Sequence, residues 1–249
     1  MKPLTKIHPT AIISSNAKIG SNVEIGAFCI IYDNVDIGDN TIIGPYCELG
    51  VANGISNGEI LKIGKNSHIR SHSIFYEASF FDDGLVTGHR VTIREKTLAG
   101  KNLQIGTLSD IQGHCDIGDY VRLHSNVHIG QKSKIGNYVW IFPYVVLTND
   151  PHPPSDTLLG VTVKDYAAIA TMSVILPGTT IEEGVLIGAH SSVKGRTEPN
   201  TVYVGNPAKK ACDTSKIKLQ DGSEQPAYPW RKHFHRGYPE HIVKEWLKN

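Results

Sequence analysis

The sequence predicts an all-β solenoid, a parallel β-helix built from six-residue repeats. Aliphatic residues recur at every sixth position from Ile105 onward: Ile105, Ile111, Ile117, Leu123, Ile129, Ile135, Ile141 and Leu147, with Gly directly after four of them. A helix repeats every 3.6 residues and a half-buried strand every two, so neither produces a period of six. The same period fills two further blocks, and small or polar residues of the kind that sharp turns require sit between the aliphatic ones. A single hexapeptide cannot bury its one aliphatic side chain, so successive coils must stack to make a core.

The first block starts at Ile7 or Ile13 and runs through Ile19, Ile25, Ile31, Ile37 and Ile43 to Leu49. Residues 51–62 break register, carry Asn-Gly twice, and are predicted as a loop leaving the coil. The second block restarts at Ile63 and Ile69 and continues through Phe75, Phe81, Thr87, Ile93 and Ala99. Its segment 77–90 contains Asp-Asp-Gly, and a bulge or short excursion is predicted there. Residues 148–160 hold three prolines in a short span, which excludes a central strand or a helix and predicts a stiff exposed loop. The third block runs from Val163 to Val193 and closes with EPNTVYVGNPAKKA at 198–211. With three hexapeptides per turn the repeats give roughly ten coils, a prism about 45–50 Å long at the usual strand spacing.

One solenoid domain is therefore expected over 1–211, followed by a tail over 212–249. PEHIVKEWLKN (239–249) predicts a short C-terminal helix with Pro at its start and Ile242, Val243, Trp246 and Leu247 on one apolar stripe. Before it, YPWRKHFHRGY (228–238) mixes basic and aromatic residues, which fits either a packed cap or a phosphate or nucleotide contact.

Composition narrows the function. The 249 residues carry a formal charge of +1, which gives no overall field favouring nucleic acid or a membrane surface. Four cysteines with no CxxC pair read as reduced thiols. No apolar run has signal or membrane-span length, so a soluble, cytoplasmic protein is expected. The densest group of side chains able to do chemistry is His114, His124, His128, Asn149 and Asp150, within the cleanest repeats. His124 follows the inward Leu123 and should point outward. Asp110 precedes His128 by one full turn, so the two should stack on adjacent coils.

The repeats, the Pro-rich excursion after TND and the terminal VYVGNPAKK resemble the left-handed β-helix acyltransferases. TGHRVTIRE (87–95), IQGHCDIGDYVRLHSNVHIGQ (111–131) and VWIFPYVVLTNDPHPP (139–154) are more specific. They resemble N-acetyltransferases that modify amino sugars on a nucleotide carrier, above all those acting on dTDP-3-amino-3,6-dideoxyhexoses. The resemblance implies a mostly β, left-handed parallel β-helix, a homotrimer with active sites in clefts between adjacent prisms, and acetyl-CoA lying along the C-terminal coils, with no metal.

In that reading an amine attacks a thioester, and a general base helps where it reaches the ammonium or the tetrahedral intermediate. The resemblance also leaves open a variant without a side-chain base, in which the CoA thiolate or solvent takes the proton. His124 is the first candidate for the base or a sugar contact, and His114 the second. His114 lies in His114-Cys115-Asp116-Ile117-Gly118, where a related group has Asp after the His. Asp150 would orient a histidine or hold the substrate ammonium. His128, Asn149, Arg94, Arg122 and Glu95 are expected on the acceptor, with arginines suited to pyrophosphate. Arg70 and Arg90 are further arginines of this kind. The small residues Ala168, Ala170 and Ala189 leave room for a pantetheine arm, and Lys194, Lys209 and Lys210 are expected at CoA. Three rival readings stay open: an O-acyltransferase on a sugar or serine hydroxyl, a zinc enzyme resembling γ-class carbonic anhydrases through His89, His124 and His128, and a non-catalytic scaffold.

Overall fold

The computed structural model describes residues 5–248. It is a left-handed parallel β-helix of triangular cross-section, with one short strand of each coil on each of three faces. We call these face I, a sheet of twelve strands, face II, of ten, and face III, of nine. Register steps by one coil throughout, as in Ile105 over Leu123 over Ile141 on face I and Ile111 over Ile129 over Leu147 on face II. On face I the final strand, Ala208–Asp213, turns back antiparallel on Thr201–Gly205 and closes the C-terminal end.

The sixth-position residues fill the interior as one continuous column, from Ile25 to Val193. Between them, inward Ser and Thr hydroxyls satisfy corner carbonyls: Ser109 Oγ donates to His124 O at 2.9 Å and Ser133 Oγ to Gly130 O at 2.7 Å. A hydroxyl is small enough for the corner and pays its burial with a hydrogen bond.

Most corners turn through one residue in the left-handed region, where Asn is tolerated better than most side chains. At the corner entering face I this column reads Asn22, Asn40, Asn66, Gly84 and Asn102, then Tyr120, Tyr138 and Tyr166. Asn22 Nδ2 donates to Asn40 at 3.0 Å, and the three tyrosines stack with ring centroids 5.4 and 5.1 Å apart. The corner from face I to face II carries Phe28, Tyr46, His72, Arg90, Leu108, Asn126, Tyr144 and Met172.

Two excursions leave the corner between faces II and III. The first lies between the strands ending at Val51 and starting at Leu61. It is pinned by Ser56 Oγ and Gly58 N–H on the buried Glu77, and by Asn53 Nδ2 on Glu95 at 2.7 Å. The second lies between Leu147 and Thr162. The excursion expected over 77–90 does not exist. Phe80–Phe81 and Val86–Thr87 are strands in full register with the coils on either side. Phe75 and Phe81 meet edge to face at 5.4 Å in the interior, the Thr87 hydroxyl accepts from Arg70 N–H at 3.0 Å, and Gly84 takes the corner at φ +81°. The repeat is intact; only its aliphatic residues are replaced.

The tail is a packed cap. Helix Glu240–Lys248 and the turn Trp230–Lys232 lie over the tyrosine column. Tyr238, Ile242 and Trp246 form a second apolar cluster with Tyr120, Tyr138, Trp140, Tyr166 and Trp230. Ile242 and Trp246 are buried as the stripe predicted, whereas Leu247 faces outward. No helix among the described residues is long and apolar enough to cross a membrane.

Candidate active site

Two recesses on different faces hold predicted residues, among them His124 and Arg122 in one and His128, Asn149, Asp150 and Lys194 in the other. On face II, in-register stacking sets Asp110 beside His128. Asp110 Oδ2 lies 3.0 Å from His128 Nδ1 and accepts from Gln112 Nε2 at 2.5 Å. Burial works to raise the Asp110 carboxyl, but the hydrogen bonds from His128 and Gln112 and the charges of His128 and Arg94 outweigh it and hold it below the ordinary value. An ionised Asp110 accepts a hydrogen bond from the Nδ1–H of a neutral imidazole, which leaves Nε2 as the acceptor nitrogen. This is the geometry that a general base with an orienting carboxylate requires.

His128 opens into a recess of about 640 Å³ with Thr148, Asn149, Asp150, Pro153 and Lys194 in its walls. The second excursion forms one side. Asp150 caps that loop by accepting from the N–H groups of His152 at 3.2 Å and Ser155 at 3.1 Å, and Asn149 O accepts from Leu159 N–H at 2.8 Å. Their backbones and turns thus shape the wall. Arg94 and Glu95 lie toward the first excursion. Glu95 is fully buried, its carboxylate held by Arg94 Nη2 and Nε at 3.2 Å and by Asn53. Its observed role is to tie that loop to the prism. His114 sits at the corner from face II to face III, φ +50°, with its N–H on Glu95 O at 2.9 Å.

His124 lies on face I, in a groove of about 320 Å³. Gly88 and Gly106 form its floor, with Arg70, Gln104, Arg122 and Trp140 around it. A Cβ on Gly106 would come within 2.3 Å of the His124 and Ser125 backbone, so this rung stays bare. The His124 ring stacks on Phe142, centroids 4.7 Å apart at 12°. Burial, then the Arg122 charge, lowers its pKa and so favours the neutral ring. Arg122 is clamped between the rings of Trp140 and Tyr238, 4.7 Å from each, and donates to Arg236 O at 3.0 Å. Trp140 Nε1 donates to Tyr238 Oη at 3.0 Å. The tail therefore fixes one wall of this groove.

Residues 16–50 match the bacterial transferase hexapeptide (six repeats) model. Over 211 residues the chain is 33% identical to an acyl-[acyl-carrier-protein]–UDP-N-acetylglucosamine O-acyltransferase of Burkholderia orbicola, covering 82% of this chain and 72% of that protein. The chain belongs to the hexapeptide-repeat acyltransferases. Another relative, dTDP-4-amino-4,6-dideoxy-D-glucose acyltransferase of Escherichia coli, is 28% identical over 64% of this chain and 84% of its own length. Of two further curated relatives, the chain spans about half the length of each. The fold is shared with the Arabidopsis UDP-N-acetylglucosamine acyltransferase structure at a TM-score of 0.52 and 18% identity, over 97% of this chain and 88% of that one.

The remaining predicted residues of this hexapeptide acyltransferase are spread over its C-terminal coils. Ala168 and Ala170 occupy face I one coil beyond Trp140 and Phe142, and Ala189 lies toward the corner beyond them. Lys194 reaches the face II recess, while Lys209 and Lys210 are on the closing hairpin, where exposed Lys210 pairs with Glu198. Among the described residues no group of three or more His, Cys, Asp and Glu could hold a metal ion, and His89 bonds Ser71 Oγ at 2.8 Å. Burial pushes the Cys115 thiol up to about 12, so it stays protonated. The aromatic partners Phe142, Trp140 and Tyr238 were not among the expected site residues. Phe142 stands one coil after His124, and that spacing was the available signal.

Proposed function

We propose that the protein transfers an acetyl group from acetyl-CoA to the amine of a nucleotide-linked amino sugar, of the dTDP-3-amino-3,6-dideoxyhexose type. The observation that carries this reading is the Asp110–His128 pair opening into the face II recess beneath the Pro-rich loop. His128 Nε2 takes a proton from the amine as its nitrogen attacks the thioester carbonyl. The C–N bond forms, the C–S bond breaks, and the CoA thiolate leaves. Backbone N–H groups in the cleft and the Lys194 ammonium offer donors for the oxyanion. The dTDP-amino-sugar relative and the three sequence motifs support a nitrogen acceptor.

The reading includes a homotrimer. The corner between faces I and II is a ridge of exposed apolar side chains, with Phe28 53%, Leu108 51% and Tyr144 53% exposed. Large apolar groups aligned along one edge favour burial against copies of themselves. Three such corners around one axis leave wedge-shaped clefts, each bounded by face I of one copy and face II of the next. The His124 groove then opposes the His128 recess.

The relatives named for UDP-N-acetylglucosamine favour a second reading, O-acyl transfer from an acyl carrier protein to a sugar hydroxyl. One assay separates them: CoA thiol release from acetyl-CoA with dTDP- and UDP-linked 3-amino and 4-amino sugars, beside UDP-N-acetylglucosamine with an acylated carrier protein. Release with a dTDP-3-amino sugar is expected. Turnover only with the carrier protein and a hydroxyl acceptor overturns the proposal.

A further inference from the structure

The outward residues that follow each inward position on face I form one column: Arg70, Gly88, Gly106, His124, Phe142. Successive rungs are separated by the strand spacing, about 4.8 Å. The Phe142 and His124 rings stack face to face along this column. The stack stops at Gly106, which has no side chain, and Gly88 repeats the bare rung, so the face of His124 turned toward Gly106 meets no side chain of the column. Arg70 closes the far end, roughly 14 Å from His124 at three strand spacings. Beside the gap stand Gln104, with an amide able both to donate and to accept, the Thr107 hydroxyl and Arg122.

We propose that this gap is a nucleobase subsite. A pyrimidine ring stacks on the open face of His124 over Gly106, continuing the Phe142–His124 ladder, and its diphosphate runs over Gly88 toward Arg70. The inference rests on the reading of a nucleotide-linked acceptor and deepens it. His124 then serves as a stacking platform and not as the proton acceptor. Its lowered pKa fits this use, since a neutral imidazole is the better face for a neutral base. The C-terminal tail takes part by clamping Arg122 and Trp140 at the groove wall. In the trimer of the proposed function, a base held on face I of one copy directs its sugar across the cleft toward His128 of the next.

The test is direct binding of the sugar-free nucleotides dTDP and UDP to the full-length protein by calorimetry, beside CoA and 3′-phospho-ADP. His124→Ala should weaken dTDP binding roughly 5- to 150-fold, the range for loss of one base–aromatic stack. His124→Phe, which keeps the ring and loses both nitrogens, should bind dTDP within about threefold of the parent protein. Equal losses in the two variants, or no loss in either, overturn the subsite. A protein that binds neither dTDP nor UDP also overturns it. If His124→Ala weakens 3′-phospho-ADP and leaves dTDP unchanged, the occupant is the donor's adenine and the proposal is again overturned. Acyl transfer is scored separately by thiol release, so failure of the nucleotide-linked acceptor is distinguished from failure of the subsite.

Discussion

At the residue scale, the two histidines four apart in sequence have different surroundings, and the proposed function gives them different uses. His128 has a carboxylate on Nδ1 and an open Nε2 edge; His124 has a ring against its face and a guanidinium beside it. His128→Gln should lower kcat by about 10²- to 10⁴-fold with little change in dTDP affinity, the usual worth of a positioned base. Asp110→Asn should lower kcat by less, because His128 remains but its tautomer is no longer fixed. Asp110 also leaves a signature in stability. Its folded pKa lies below the unfolded value of about 3.9. Its contribution is therefore fully present above that value and is lost as pH falls through the folded pKa. The Tm advantage of the parent over Asp110→Asn should be larger at about pH 6 than at about pH 3; an advantage that grows toward acid would contradict the assigned hydrogen bond.

At the element scale, the six-residue period located every coil, because each inward position has one geometric task and few side chains perform it. It misled only at 77–90, where Phe81 and Thr87 perform that task without being aliphatic. The Asp110–His128 pair was readable from its one-turn spacing. The groove on face I was not, because its floor is made of glycines and its wall comes from the tail, more than a hundred residues away. The tyrosine column carried an available signal: Tyr120 and Tyr138 stand one turn apart, and Tyr166 follows after a turn lengthened by the Pro-rich loop. The tail rests on that column chiefly through Trp246, edge-on to Tyr138 at 5.2 Å and Tyr238 at 4.8 Å. Trp246→Ala should cost the docked tail about 3–5 kcal/mol. Because the prism core is built without the tail, the expected result is rapid proteolysis within 214–239 while a protected solenoid fragment persists. Loss of the whole chain at one rate would show that tail and prism unfold as a single unit.

At the scale of the whole molecule, one prism carries the two recesses on faces that diverge at a convex corner, so a single copy presents no cleft containing both His124 and His128. The proposed cyclic trimer about the exposed ridge would supply three such clefts, each taking its groove from one copy and its proposed base from the next. That arrangement has a consequence independent of any contact distance. A trimer of His124→Ala copies lacks every stacking platform, and a trimer of His128→Gln copies lacks every base. Mixed trimers instead place an intact face I opposite an intact face II at one of their three clefts, whichever variant is in the majority. After denaturation and refolding of equal amounts together, about three quarters of trimers are mixed, so about a quarter of the clefts are whole. Thiol release at an acceptor concentration below KM should then return to about a quarter of the parent rate, from a low value in either variant alone. Leu108→Glu with Tyr144→Glu places charge along the ridge and should yield a folded monomer by sedimentation that fails to complement. If the mixture recovers nothing while native mass spectrometry shows mixed trimers, both histidines of a working site come from one chain and the composite cleft is wrong.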